Sequence, residues 1–108
     1  MPSPSRKRLK EAMLQSFLET DPEKKKELSR EFTRLLFQFV QGKMKSKGEE
    51  EVSLMQMEAV GLFTQYVFRK SREKKESREK TAKQILKEIA NESDELFDEI
   101  ESRITHPA

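Results

Sequence analysis

The sequence predicts an all-α fold, a small bundle of three to four helices whose last two are either separate or fused into one long helix. Three observations lead there. Apolar residues recur with a period near 3.6 and nowhere with a period near 2. From Leu62 to His106 there is no glycine and no proline; with the two strongest helix breakers gone, that span reads as helix without an interruption. Inside it, Arg69 to Lys80 (RKSREKKESREK) holds no apolar residue and so offers nothing to a core.

Each helix has its own signals. Met1 to Ser5 (MPSPS) reads as a disordered lead-in. A first helix over about 6–19 carries Leu9, Ala12, Met13 and Phe17 in one stripe, widened by Leu14 and Leu18. Thr20-Asp21-Pro22 ends it and opens the next. Asp21 suits an N-cap, Pro22 suits the first helical position and Glu23 lies at the positive end of the dipole.

The second helix, about 22–47, shows the clearest amphipathic stripe: Leu28, Phe32, Leu35, Leu36, Phe39 and Val40, with Phe37 off it. Lys43, Lys45 and Lys47 form a basic last turn before Gly48, a candidate left-handed cap, although Gly42 could end the helix a turn earlier. Glu49, Glu50 and Glu51 open a third helix over about 50–70. It is apolar on most sides, through Val52, Leu54, Met55, Met57, Ala59, Val60, Leu62, Phe63, Tyr66, Val67 and Phe68, which places it centrally or between its own fold and a partner. A last helix over about 77–104 carries Ala82, Leu86, Ile89, Ser93, Leu96 and Ile100 as a heptad-like seam, with Ile85, Phe97 and Ile104 beside it. Residues 6–104 form one domain on this reading and 105–108 a tail.

Whether the chain stays helical through Arg69–Lys80 is open. Lysine, arginine and glutamate are good helix formers, and one helix from about 50 to 104 would be roughly 80 Å long. A turn near Ser71 or Ser77 would fold the last segment back, which a thin core favours. The core must be thin, because 33% of residues are hydrophobic and 39% charged, against about 45–50% and about 25% in average globular chains.

The net charge of +2 hides a strong polarity. Residues 69–83 hold eight basic residues against three glutamates, whereas residues 88–104 hold seven acidic residues against Arg103 alone. Basic residues at the positive end of the last helix and acidic ones at its negative end oppose its dipole. Continuity with the preceding helix would offset this. So would two antiparallel copies that set each acidic end against the other's basic stretch.

These features point to surfaces rather than chemistry. There is no cysteine and a single histidine, His106, and no calcium-loop, phosphate-loop or nucleophile motif. No catalytic residue, metal ligand, cofactor or small-molecule substrate is therefore expected. No apolar run approaches the ~18–20 residues of a membrane span, and the basic start lacks the apolar stretch of a secretory signal. Soluble and intracellular, cytoplasmic or nuclear, is the expectation.

The expected function is a non-enzymatic helical interaction module, a homodimer or a unit docking on a helical partner. Its expected contact residues are the off-stripe Phe37, Leu54 and Phe68 with the seam residues Leu86, Ile89, Leu96, Phe97 and Ile100. Met55, Met57, Phe63 and Tyr66 either line an adaptable groove or are ordinary core. The alternative is a nucleic-acid-binding regulator in which Arg6, Lys7, Arg8, Lys10, Arg69, Lys70, Arg72, Lys74, Lys75 and Arg78 meet phosphates; a solvated charged face is the bland reading of the same residues.

The order of a medium helix (28–47), a long apolar helix (from 52), a basic connection and a shorter helix (82–90) resembles the histone fold, in particular small centromere-associated histone-fold proteins. That resemblance implies an obligate heterodimer that touches DNA, in a chromatin-associated role. It departs at Glu76-Ser77-Arg78-Glu79, which has no β-branched residue for the short strand that fold places there.

Overall fold

The computed structural model describes residues 3–77 and 79–106, and these form five helices with no strand: α1 (Arg6–Leu18), α2 (Pro22–Lys43), α3 (Glu49–Lys75), α4 (Ala82–Asn91) and α5 (Asp94–Thr105). Their start and stop points follow local chemistry. Ser5 caps α1, its hydroxyl accepting from the Arg8 N–H at 3.1 Å. Pro22 holds the first position of α2, but the Asp21 side chain makes no capping bond. Instead the Asp21 N–H donates to the Glu19 carboxylate at 3.1 Å. The second helix stops at Lys43 rather than 47, and Gly48, with φ of −71°, is the N-cap of α3 and not a left-handed C-cap. Gly42 lies where Ser3 approaches the helix; a Cβ there would come within 2.7 Å of the Ser3 Cβ. The lead-in is thus seated on α2 from Ser3 onward, while Met1 and Pro2 lie outside the described residues.

The continuity left open through Arg69–Lys80 is resolved as a break, and a second, unexpected break divides the last helix expected over about 77–104. The first break, at Glu76–Thr81, is the fold-back turn, and it brings α4 and α5 antiparallel along α3. Side-chain pairing runs in opposite senses along the two arms: Lys74 with Glu88, Lys70 with Glu92, Arg69 with Glu95, Arg103 with Glu58. The longest dimension is 46 Å, well short of a rod of roughly 80 Å. Restarting the helix is the task of Thr81, which forms a capping box. Its hydroxyl accepts from the Gln84 N–H at 3.1 Å, and the Gln84 side chain accepts from the Thr81 N–H at 2.9 Å.

The second break is a short one at Glu92–Ser93. Ser93 lies in the seam and is fully buried, so its hydroxyl needs a partner inside the protein. It donates to the Ala90 carbonyl at 2.6 Å, and the Ser93 N–H turns to the same carbonyl at 3.4 Å. That frees the Ile89 carbonyl, which accepts from the Tyr66 hydroxyl at 2.6 Å. Burial pushes the Tyr66 phenol up, with Glu95 and Glu92 adding to it, so it stays a neutral donor. One tyrosine on α3 thereby fixes the bend between α4 and α5.

The core gathers one face from each helix: Leu9 and Met13 from α1, Phe32, Leu36, Phe39 and Val40 from α2, Met55, Ala59 and Leu62 from α3, Ile89 from α4, and Leu96, Phe97 and Ile100 from α5. Phe63 packs between Phe32 (ring centroids 4.7 Å apart) and Phe17 (6.4 Å), and Phe39 meets Phe97 at 5.6 Å. Among the described residues no buried side-chain polar atom lacks a hydrogen bond. The core closes within one chain, so the obligate partner implied by the histone-fold resemblance is not needed to complete it.

Candidate interaction surface

Helix α3 buries Met55, Ala59, Leu62 and Tyr66, spaced four, three and four, against α2 on one side and α4 and α5 on the other. At about 100° per residue the opposite face carries Glu50, Leu54, Met57, Gly61, Thr64, Gln65, Phe68, Arg72 and Lys75. Leu54 is 68% exposed, Met57 71% and Phe68 65%; they are the exposed large hydrophobics among the described residues, and all three lie on this one stripe. Arg72 lays its guanidinium 5.8 Å from the centroid of the Phe68 ring. Leu54 to Phe68 spans about 21 Å of helix.

The expected contact residues therefore divide. Leu54 and Phe68 lie outward. Phe37 and Leu86 are half-buried. Ile89, Leu96, Phe97 and Ile100 are core, each no more than 2% exposed, and as a partner surface they are a correction: once α4 and α5 fold back, the seam meets the other helices of its own chain. The methionine–aromatic groove divides in the same way, with Met55, Phe63 and Tyr66 turned inward and Met57 outward. A spacing signal for the stripe was present in the sequence. Leu54, Met57, Gly61 and Phe68 stand three, four and seven apart, a heptad line separate from the one through Val52, Ala59 and Tyr66.

The basic residues are placed with equal definition. Arg6 contacts Asp94 (3.1 Å), Asp98 (2.8 Å) and Glu101 (2.8 Å), and Lys10 contacts Asp94 at 2.5 Å. Arg69 meets Glu95 at 2.8 Å, and Lys70, only 11% exposed along its side chain, meets Glu95 at 3.1 Å and Glu92 at 3.6 Å. Lys74 meets Glu92 at 2.6 Å, and Lys80 meets Glu88 at 2.6 Å. Arg8 lies 3.5 Å from Glu31. Lys7, Arg72 and Lys75 have no ion pair among the described residues, and Arg78 lies outside them. The acidic end of the chain thus pairs with the basic stretch inside one molecule. The pairing expected between two copies is satisfied by the fold-back turn.

This network sets a pH response. Hydrogen bonds from Lys80 and then Lys74 hold the Glu88 carboxyl below the usual glutamate range, and hydrogen bonds from Lys10 and Arg6 do the same for Asp94. Free carboxyls titrate near 3.9 for aspartate and about 4.3 for glutamate. With the folded values lower, the unfolded chain takes up protons first as pH falls. The stabilisation is complete above about pH 5 and is lost as pH drops through the lowered values. The thermal midpoint should therefore hold steady from about pH 6 to 8 and fall as pH drops below the ordinary carboxylate range near 4. An unchanged midpoint at pH 3 would show that the pairs contribute nothing.

One cleft of about 580 Å³ opens between Met44, Leu54, Met55 and Ile104, rimmed by Lys47, Glu51, Glu58 and Arg103. Glu58 and Arg103 pair with each other across it at 2.6 Å. Among the described residues no group of three or more histidine, cysteine, aspartate or glutamate side chains is placed to hold a metal ion. No helix is long and apolar enough to cross a membrane among those residues. No protein-family model, no curated protein and no solved structure matches the chain.

Proposed function

We propose that this chain is a non-enzymatic helical interaction module whose docking surface is the outward face of α3. The observation that carries the reading is the concentration of Leu54, Met57 and Phe68, each about two-thirds exposed or more, on one face of one helix. Isolated exposed apolar residues are ordinary, but Leu54 and Met57 adjoin, Phe68 follows on the same face beyond Gly61, Thr64 and Gln65, and large apolar residues gathered on one face mark a contact surface. Covering one such side chain is worth roughly 1.5–3 kcal/mol. With Gly61 and Gln65 between them, Leu54, Met57 and Phe68 form a line spaced three, four, four and three, and a second helix is the element that packs along such a ridge.

Nucleic-acid contact is the weaker reading. Counterion release requires cations free to meet phosphate, and Arg6, Lys10, Arg69, Lys70 and Lys74 are held by carboxylates within the fold. Arg8 lies near Glu31 and Arg78 is outside the described residues, which leaves Lys7, Arg72 and Lys75 without an ion pair among the described ones.

A photo-crosslinking residue placed in living cells at position 57 or 68, with Lys24 on the far part of α2 as control, tests the docking surface. Adducts from 57 and 68, and none from 24, are the expected result. No adduct of any mass from either position would overturn the reading.

A further inference from the structure

We propose that the partner on this face is a second copy of the same chain, lying antiparallel across α3 with the two-fold axis at Gly61. The inference rests on the reading of that face as a docking surface and adds the identity of the occupant.

Three observations carry it. The first is the symmetry of the stripe about Gly61. Leu54 and Phe68 stand seven residues to either side, Met57 and Gln65 four, and Glu50 and Arg72 eleven. A two-fold axis at Gly61 therefore sets Phe68 of each copy beside Leu54 of the other, and Glu50 of each beside Arg72 of the other. An interface of this kind is isologous, so every favourable contact occurs twice.

The second is charge. Elsewhere around α3, on its flanks and inward side, Glu58, Arg69, Lys70, Glu73 and Lys74 all have ion-pair partners. At the two ends of the outward stripe, Glu49, Glu50 and Glu51 and then Arg72 and Lys75 have none among the described residues. An antiparallel copy brings these opposite sets together. A parallel copy would stack glutamate on glutamate and arginine on arginine, which is unfavourable.

The third is Gly61 itself. Glycine weakens a helix interior, so its presence there calls for a packing reason. Its own fold supplies none, because a Cβ at Gly61 would meet nothing within 4 Å. At a helix crossing the missing side chain lets two backbones approach closely, so that the longer Leu54 and Phe68 side chains reach across. A single helix pair buries less than the roughly 1,200–2,000 Å² of a stable complex, which makes this a weak, concentration-dependent dimer.

The chain has no cysteine, so engineered thiols report cleanly. Ser53→Cys and Ser71→Cys lie on the same edge of the stripe, and 53 faces 71 of the other copy in the antiparallel arrangement. A short bismaleimide should join 53 to 71 when the two variants are mixed. It should not join 53 to 53 or 71 to 71, pairs that would lie about 24 Å and about 30 Å apart along the helix at 1.5 Å per residue. Sedimentation equilibrium of the purified wild-type chain should show a concentration-dependent dimer. Phe68→Ser should remove the dimer while the circular dichroism spectrum stays helical. Glu50→Arg and Arg72→Glu should each weaken it several-fold, and the double exchange should restore it to within about twofold.

Cross-links of 53 to 53 would overturn the antiparallel arrangement. A monomer up to about 1 mM would overturn self-pairing altogether. In that event, in-cell adducts from 57 and 68 to a different protein would leave the docking surface standing without its twin, whereas no adducts at all would remove both.

Discussion

Replacing Ile100 with aspartate should unfold the whole chain. Ile100 is fully buried beside Leu96 and Phe97 on α5, in the same core as Phe39 and Val40 of α2. The substitution removes the isoleucine's burial, a loss of about 2–5 kcal/mol for truncation of such a side chain. It also leaves a carboxylate without a partner, which adds several kcal/mol whether the group stays charged or takes up a proton. Domains of this size are stable by about 5–15 kcal/mol in total, so the sum is comparable with the whole. Loss of the helical signal at 222 nm, or a urea midpoint near zero, is the expected result. A cooperative melt within a few degrees of wild type would show that α5 is peripheral. The contrast is Phe68→Asp in the dilute, monomeric chain, where the side chain already faces water and the change should lie within about ±0.5 kcal/mol.

Phe39→Ala and Phe32→Ala should each destabilise by about 3–5 kcal/mol. Phe39 ties α2 to α5 through the Phe97 ring at 5.6 Å, with the Lys43 ammonium 5.5 Å from its centroid. Phe32 ties α2 to α3 through Phe63. Truncating either leaves a cavity between two helices that cannot close without moving one of them. Phe37, one turn from neither of these faces, is half-buried. Its carbonyl accepts from Gln56 Nε2 at 3.2 Å, a bond that an alanine keeps. Its replacement should cost about 1 kcal/mol, the typical loss for a side chain that is only partly buried. Urea midpoints of the three variants rank them directly, and a Phe37→Ala loss larger than the other two would reverse the assignment of the buried face.

Much of this was legible because it is local. The α2 stripe Phe32, Leu35, Leu36, Phe39 and Val40 is the set that is buried, since a helix with one strongly apolar face has one way to turn it inward. The start of α4 was missed by about five residues: Thr81-x-x-Gln84 is a capping-box pattern that the surrounding charged run obscured, and the expected start fell at about 77. Helix α3 ran five residues past the expected end at 70, because Lys70 and Lys74 are clamped by Glu92, Glu95 and Glu88 from another helix. That clamp is invisible at sequence separations of 14 to 25 residues.

The sequence by itself determined the all-α class, the phase of each stripe and the opposition of a basic stretch to an acidic one, because spacing and residue type set those within a few turns of chain. It did not determine the break at Glu92–Ser93, which depends on the burial of Ser93 and its neighbour Tyr66. Only the tertiary structure decided which stripe was core and which was surface. Periodicity says that a face is apolar but not what lies against it. The turn at Glu76–Thr81 put the Ile89–Ile100 seam against its own chain, neutralised the charges in place, and left Leu54, Met57 and Phe68 of α3 as the uncovered face.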